Sequence, residues 1–198
     1  STSFRNGLVV FEIATALVLL VSSGLLVRSF MLVLDENPGF RSDNILTLSA
    51  LLPRSTYNDS PQRITFWNEL EARISGLPGV SSVGATTRIP MRGPNNNVTT
   101  TLTIEEQPLP EGQKPEIDFR RASPDYFSTM GIPLLQGRAF TDRDMSTEQQ
   151  TVIVNQAMAQ RFFPGENSIE KRIKLGSNSD DDPWMTIVGV VGDIRHTA

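Results

Sequence analysis

A chain of 198 residues with net charge −4, one histidine and no cysteine has no disulfide framework and no thiolate metal site. Its acidic residues are dispersed, and no basic stripe or aromatic platform set among lysines marks a nucleic-acid surface, so no nucleic-acid partner is expected. About 30 residues are taken up by an apolar segment and its flanks, which leaves enough for one domain of ordinary size or two small subdomains.

Leu8 to Val27, LVVFEIATALVLLVSSGLLV, carries a single charge, Glu12. At about 1.5 Å per residue a helix of this length spans roughly 30 Å, the thickness of a bilayer's hydrocarbon core. Nine Leu, Ile and Val residues between Ile13 and Val27 favour insertion by about 3–5 kcal/mol. Glu12 lies near the amino-terminal end, where it can reach the interface. Ala16 and Ser23 share a face on which a neighbouring helix could approach closely. The run exceeds the apolar core of a signal peptide, and the rest of the chain is too small to wrap such a helix on all sides. Arg5 on one side and Arg28 and Arg41 on the other leave the orientation open.

Asp35 to Gly39 ends the helix with polar residues, a proline and a glycine. Ile45 to Leu52 alternates, with Leu46, Leu48, Ala50 and Leu52 on one face, and predicts a half-buried strand. Ser60-Pro61 reads as a helix cap and first-turn proline. Ile64, Trp67, Leu70, Ile74 and Leu77 then form the apolar stripe of an amphipathic helix that Gly76 and Pro78 stop. Val80 to Ile89 predicts a second strand, giving a β-α-β unit.

Met91 to Asn97 is a Gly/Pro/Asn loop. Beyond it, Val98 to Ile104 and Glu116 to Arg120 alternate as strands with one solvated face, joined by the proline-bearing loop Glu106 to Pro115. Ser123-Pro124-Asp125 starts a short helix ended by Gly131. Leu134 to Phe140 is a short strand and Thr141 to Gln150 a polar loop. Val152 to Val154 is a strand, and Asn155 caps a helix through Phe163 that Pro164-Gly165 terminates. Ile169 to Leu175 and Met185 to Val191 are strands about an acidic turn, Gly176 to Pro183. The fold class is α+β.

Catalytic equipment is sparse, and we assign no catalytic, cofactor-binding or metal residue. His196 stands in the last three residues, a poor place for a Ser-His-Asp relay. Asp180-Asp181-Asp182 lacks the ligand spacing and closing glutamate of an EF-hand and reads as a solvated turn. Asp142, Arg143 and Asp144 read as a capped turn, and Phe127, Phe140, Phe162 and Phe163 as core, with one ring of the Phe162-Phe163 pair free for a contact surface. Asn97-Val98-Thr99 fits the glycosylation pattern by chance. No G-x-x-x-x-G-K-[ST] sequence occurs, so ATP hydrolysis is not expected of these residues.

The succession GLLVRSF, NPGF (Asn37 to Phe40), LPGV (Leu77 to Val80), DYFSTMGIPLLQGRAFTDRD (Asp125 to Asp144), VIVNQAMAQRFFPGEN (Val152 to Asn167) and IVGVVGDIRH (Ile187 to His196) resembles the first membrane helix and periplasmic core domain of MacB/FtsX-type ABC transporter permeases. It is most similar to the duplicated permeases of acidobacteria, which carry no fused ATPase. One departure is visible: where such chains read N-P-I-G-K-R-I, this one has Asn167-Ser168-Ile169-Glu170-Lys171-Arg172-Ile173, which puts the turn geometry in question.

The resemblance implies a transmembrane helix and flanks over residues 1–34 and a MacB-like periplasmic core domain over 35–198, truncated at its carboxyl end. Within that domain it implies a porter-like β-α-β part at about 40–90, with a later return of the chain, and a β-rich part at about 95–195. It implies a non-catalytic permease subunit fragment of an ABC-type mechanotransmission or efflux system, without cofactors, in the bacterial inner membrane. Its implied partners are a separate ABC ATPase subunit, a homodimer mate or paired permease half, and a periplasmic adaptor. Two other readings stand beside it: a membrane-anchored sensor or binding module, and a tethered enzyme working by carboxylate chemistry. Interface contacts are expected on the loops Met91 to Asn97 and Glu106 to Pro115.

Overall fold

The structure, a computed structural model, describes residues 2–34, 37–53, 55–57, 59–90, 98–105, 107, 115–145, 150–176 and 182–195. The chain divides into two compact units, residues 1–38 and 39–198. The first is one helix, α1 (Thr2–Leu34). Its stretch from Phe4 to Leu32 is long and apolar enough to cross a membrane, and none of it is buried. Leu20 and Leu26 are both more than 70% exposed, side chains that water would reject and hydrocarbon accepts. The Thr15 hydroxyl donates to the Phe11 carbonyl at 2.8 Å, so this polar group satisfies itself within the helix.

In the second unit, α2 (Ser60–Ser75) begins one residue earlier than the proline suggested. Asp59, not Ser60, is the cap, its carboxylate accepting from the Gln62 N–H at 2.9 Å. Trp67, Leu70 and Ile74 are half-buried, whereas Ile64 and Leu77 remain exposed. The two strands expected to flank α2 do not join a ladder. Residues 45–52 belong to no strand among the described residues, and Leu46, Leu48 and Leu51 are exposed. The second segment makes a lone antiparallel bridge, Thr86 to Ala122. Alternation sets which side chains share a face, but it does not supply the neighbouring strand whose N–H and C=O groups complete a sheet.

The remaining strands form one six-stranded sheet: β1 (Thr99–Ile104), β2 (Glu116–Asp118), β3 (Leu134–Gly137), β4 (Thr151–Asn155), β5 (Arg172–Leu175) and β6 (Trp184–Val191). Its order is β2-β1-β5-β6-β3, with β4 also on β6. Only the β4–β6 pairing is parallel; the other ladders are antiparallel. β5 meets β6 at 184–186 and β3 meets it at 189–191, while β4 runs along 186–191. β5 and β3 therefore share one edge of β6 in succession and β4 takes the other. The predicted face of β1 is the buried one: Leu102 is 0% exposed and Ile104 is also buried.

The main core gathers Leu102, Ile104, Val154, Phe163, Ile173, Ile187 and Val190. A second cluster, Tyr126, Met130, Ile132 and Val191, takes in Phe40 and Ile45 from the segment after α1. The short helix α3 (Tyr126–Thr129) stands at this second cluster. α4 (Gln156–Phe162) starts as read from the sequence, the Asn155 side chain accepting from the Met158 N–H. Asp193 adds to that cap, accepting from Asn155 Nδ2 at 2.7 Å and from the Ala157 N–H at 2.9 Å. Gly39, at φ +82, lies so close to the Asp193 carbonyl that a Cβ would collide with it. Gly39 and Asp193, far apart in sequence, thus meet, and position 39 needs its glycine there.

The departure at 167–173 keeps a tight turn. Asn167 Oδ1 accepts from the Ile169 N–H at 3.0 Å, and Glu170 N–H bonds the Ile187 carbonyl at 2.8 Å. Glu170 holds φ +70, a left-handed conformation that costs a residue with a Cβ about 1–2 kcal/mol. Ser168, in the place of the proline, is buried. Glu170→Gly is therefore expected to stabilise the domain by about 0.5–1 kcal/mol after allowing for the greater freedom of glycine in the unfolded chain. Thermal unfolding of the two chains in matched micelles measures it; an unchanged or lower midpoint contradicts the strain.

Candidate functional site

An open groove of about 740 Å3 lies against β4, β5 and β6, inside the roughly 300–1,000 Å3 range of ligand sites. Val152 and Val154 of β4, Ile173 of β5 and Met185 of β6 line it, and α4 adds Met158 and Phe162. The far wall comes from the segment that follows β2, Phe119 to Ala122, and from Tyr126 and Phe127 of α3. Phe127 stacks edge-on to Tyr126 at 5.4 Å and lies 6.1 Å from Phe140, which also faces the groove. The apolar alternation that builds the core thus also supplies this wall, since Val154 and Ile173 belong to both.

Polar groups stand at defined places on the wall. Arg120, Arg121 and Arg161 line it together with Asp118 and Asp144. The Arg161 guanidinium lies 5.1 Å from the centre of the Phe162 ring, a cation–π contact. Burial lowers the pKa of Arg120, which neighbouring Asp118 opposes. Tyr126 is 6% exposed, and its hydroxyl has no hydrogen-bond partner among the described residues. Burial pushes that phenol above its ordinary value, an effect Arg120 offsets.

At the rim, Asp144 accepts two hydrogen bonds from Arg138, at 2.7 and 2.8 Å, and two from the Thr141 N–H and hydroxyl, both at 2.7 Å. The Arg138 bonds above all hold its carboxyl well below the ordinary carboxylate range. A depressed carboxyl stabilises the fold above its unfolded value, about 3.9, and that contribution fades as pH falls below it. Asp144→Asn is expected to cost about 1–2 kcal/mol at pH 7, since Arg138 is half exposed and the pair is partly screened. The difference between the two chains should shrink toward pH 3 in thermal melts; a constant difference contradicts the assignment.

A second polar contact ties α2 to the start of α3. Burial raises the pKa of Glu71, a hydrogen bond from Ser123 lowers it, and neighbouring Asp125 raises it. Ser123 in turn accepts from the Ala85 N–H at 2.9 Å.

The features read from sequence fall elsewhere. His196, Asp180, Asp181 and Asn97 lie outside the described residues, as do the loops at 91–97 and 106–115 except Gln107 and Pro115. Among the described residues no group of three or more His, Asp or Glu side chains could hold a metal. The Asp142-Arg143-Asp144 cluster is a capped 3-10 turn at Asp142–Met145, but its partner is Arg138, six residues back. Phe163 is core, as read, and Phe162 is half-buried in the groove wall. The sequence signal for two of the groove arginines is Phe119-Arg120-Arg121, adjacent cations directly after a strand; Arg161 carries none.

Comparison with known proteins gives a consistent family. The model of the MacB-like periplasmic core domain matches residues 7–198. Among solved structures, the chain is similar to the periplasmic region of MacB from Actinobacillus actinomycetemcomitans, at 18% identity and a TM-score of 0.47, over 66% of this chain and 52% of that one. It is also similar to the extracellular domain of the noncanonic ABC-type transporter YknZ from Gram-positive bacteria, at 19% identity and a TM-score of 0.45, over 63% of this chain and 56% of that one. The chain thus spans about half the length of these structures. No curated protein matches it. A family match that runs from inside the apolar helix to the last residue makes this chain a member of the MacB-like periplasmic core domain family, of the MacB/FtsX permease type.

Proposed function

We propose that the chain is the non-catalytic, membrane-anchored part of an ABC-type permease that couples ATP hydrolysis by a separate ATPase subunit to work in the periplasm, as mechanotransmission or efflux. The observation that carries this reading is the family match across both the apolar helix and the α+β unit, together with the lack of a phosphate-binding loop in these residues. In this reading α1 enters the bacterial inner membrane from the cytoplasm and residues 39–198 lie in the periplasm, where a second permease copy or half and an adaptor meet them. The exposed Leu46, Leu48 and Leu51 on an unladdered segment support a porter-like part, about 40–90, completed by a later return of the chain.

Expression of the full-length gene with its ATPase tests the reading. A stable complex in detergent whose ATP turnover differs from that of the ATPase alone is the expected result. Failure to form a complex, with turnover unchanged, overturns it and moves a membrane-anchored binding module to first place, a reading that the groove favours.

A further inference from the structure

The chain enters the 39–198 domain at Gly39 and is held there on both sides. Gly39 has no room for a Cβ beside the Asp193 carbonyl, the Arg41 N–H donates to the Met130 carbonyl at 2.7 Å, and Phe40 between them packs against the cluster of Tyr126, Met130, Ile132 and Val191. Ile194 packs against the same cluster, and the Gly192 N–H donates to the Pro133 carbonyl at 2.9 Å. Asp193 is therefore flanked by two held residues, with the entering backbone against its carbonyl oxygen. In so close a contact neither side shifts without the other.

The Asp193 carboxylate serves a different element. Its Oδ1 accepts from Asn155 Nδ2 at 2.7 Å and from the Ala157 N–H at 2.9 Å, at the start of α4. Asn155 in turn accepts from the Met158 N–H at 3.2 Å, so both parts of the cap pass through one carboxylate. Seven residues are too few to hold a helix by propensity, and α4 depends on that cap and on its packing. Asn155, Ala157, Met158 and Phe162 all line the groove. One residue thus touches the entry of the domain with its backbone and the groove wall with its side chain.

We propose that Asp193 couples the entry of the domain to α4: displacement of residues 39–41 moves the Asp193 backbone, breaks the cap and loosens that wall of the groove. The source of the displacement is movement of the anchor that precedes Gly39, and for that source the proposal rests on the permease reading above.

The test is amide hydrogen exchange, read residue by residue by NMR on the full chain in nanodiscs, with no ATPase or nucleotide present. Asp193→Ala should speed exchange from Met158 to Phe162 about five- to tenfold, the usual loss for a helix cap. It should also speed exchange of the Arg41 N–H by a similar factor, because coupling between two sites is reciprocal. A cap that only supports α4 locally would leave Arg41 unchanged. Gly39→Ala should speed exchange in α4 when Asp193 is present and add nothing to it in the Asp193→Ala chain. An unchanged Arg41 N–H in Asp193→Ala overturns the proposal, and so does a Gly39→Ala effect on α4 that persists in that chain. If Gly39→Ala does not fold, the Arg41 measurement decides alone. Failure to form a complex with an ATPase would sink the permease reading and leave these exchange rates as stated, so the two failures are told apart.

Discussion

Leu102→Ala is expected to destabilise the 39–198 domain by about 3–4 kcal/mol, the upper part of the range for a buried leucine cut to a methyl. Leu102 is 0% exposed and lies opposite Leu175 across the β1–β5 ladder. It is packed in the cluster of Ile104, Val154, Phe163, Ile173 and Ile187, so its truncation leaves a cavity among buried neighbours. Against a typical domain stability of about 5–15 kcal/mol, such a loss should lower the thermal midpoint by many degrees. Leu46→Ala is the contrast. Leu46 is 91% exposed, and in these 198 residues its truncation should shift stability by less than about 0.5 kcal/mol. Equal costs at the two positions would contradict the placement of the core.

The second large effect is expected at Gly137, the last residue of β3. It holds φ +71, and a Cβ there would collide with the Val188 carbonyl oxygen and press on Ile169 Cδ1 at 2.8 Å. The left-handed backbone costs alanine about 1–2 kcal/mol, and forcing a methyl into a packed contact adds about 1–3 kcal/mol. Gly137→Ala should therefore cost about 3 kcal/mol. The effect should also travel along the chain. Arg138 N–H bonds the same Val188 carbonyl at 2.9 Å, so moving that oxygen displaces Arg138, and with it the paired bonds to Asp144 at the groove rim. In the Gly137→Ala chain, the acid-range pH dependence assigned to Asp144 should be weakened as well as the midpoint lowered. A lowered midpoint with that dependence intact would show that the rim is independent of the β3–β6 pairing.

Much of the six-stranded sheet was legible. The alternation from Val98 to Ile104 names the buried face of β1, Asn155 marks the start of α4, and the apolar run ending at Val191 is β6. In each case a local signal and the tertiary environment agree. Residues 40–90 were less legible because alternation at 45–52 describes a strand that needs a partner, and none of the described residues provides one. The cap of α2 was displaced by one residue because Asp59 and Ser60 both have cap chemistry, and the backbone geometry chose between them. The Glu170 turn kept its form without the expected glycine because Glu170 N–H to Ile187 and Ile187 N–H to Lys171 pin it to β6.

The groove was the least legible feature. Its walls are contributed by segments 119–127, 152–162 and 173–185, which are far apart in sequence and meet only in the folded chain. Arg138 and Asp144 show the same limit at short range: six residues apart with a left-handed glycine just before them, they meet by a turn that no simple periodicity describes.

Every part of the functional reading depends on which side of the membrane the domain occupies, and the absence of cysteine from these residues makes that directly measurable. Ser81 is exposed, and Ser81→Cys places one thiol on the domain. In intact cells expressing the full-length protein, with the outer membrane made permeable, a maleimide that cannot cross the inner membrane should label this thiol at the same rate as in lysed cells. Labelling only after the inner membrane is broken would put residues 39–198 in the cytoplasm and contradict a periplasmic permease domain anchored by α1.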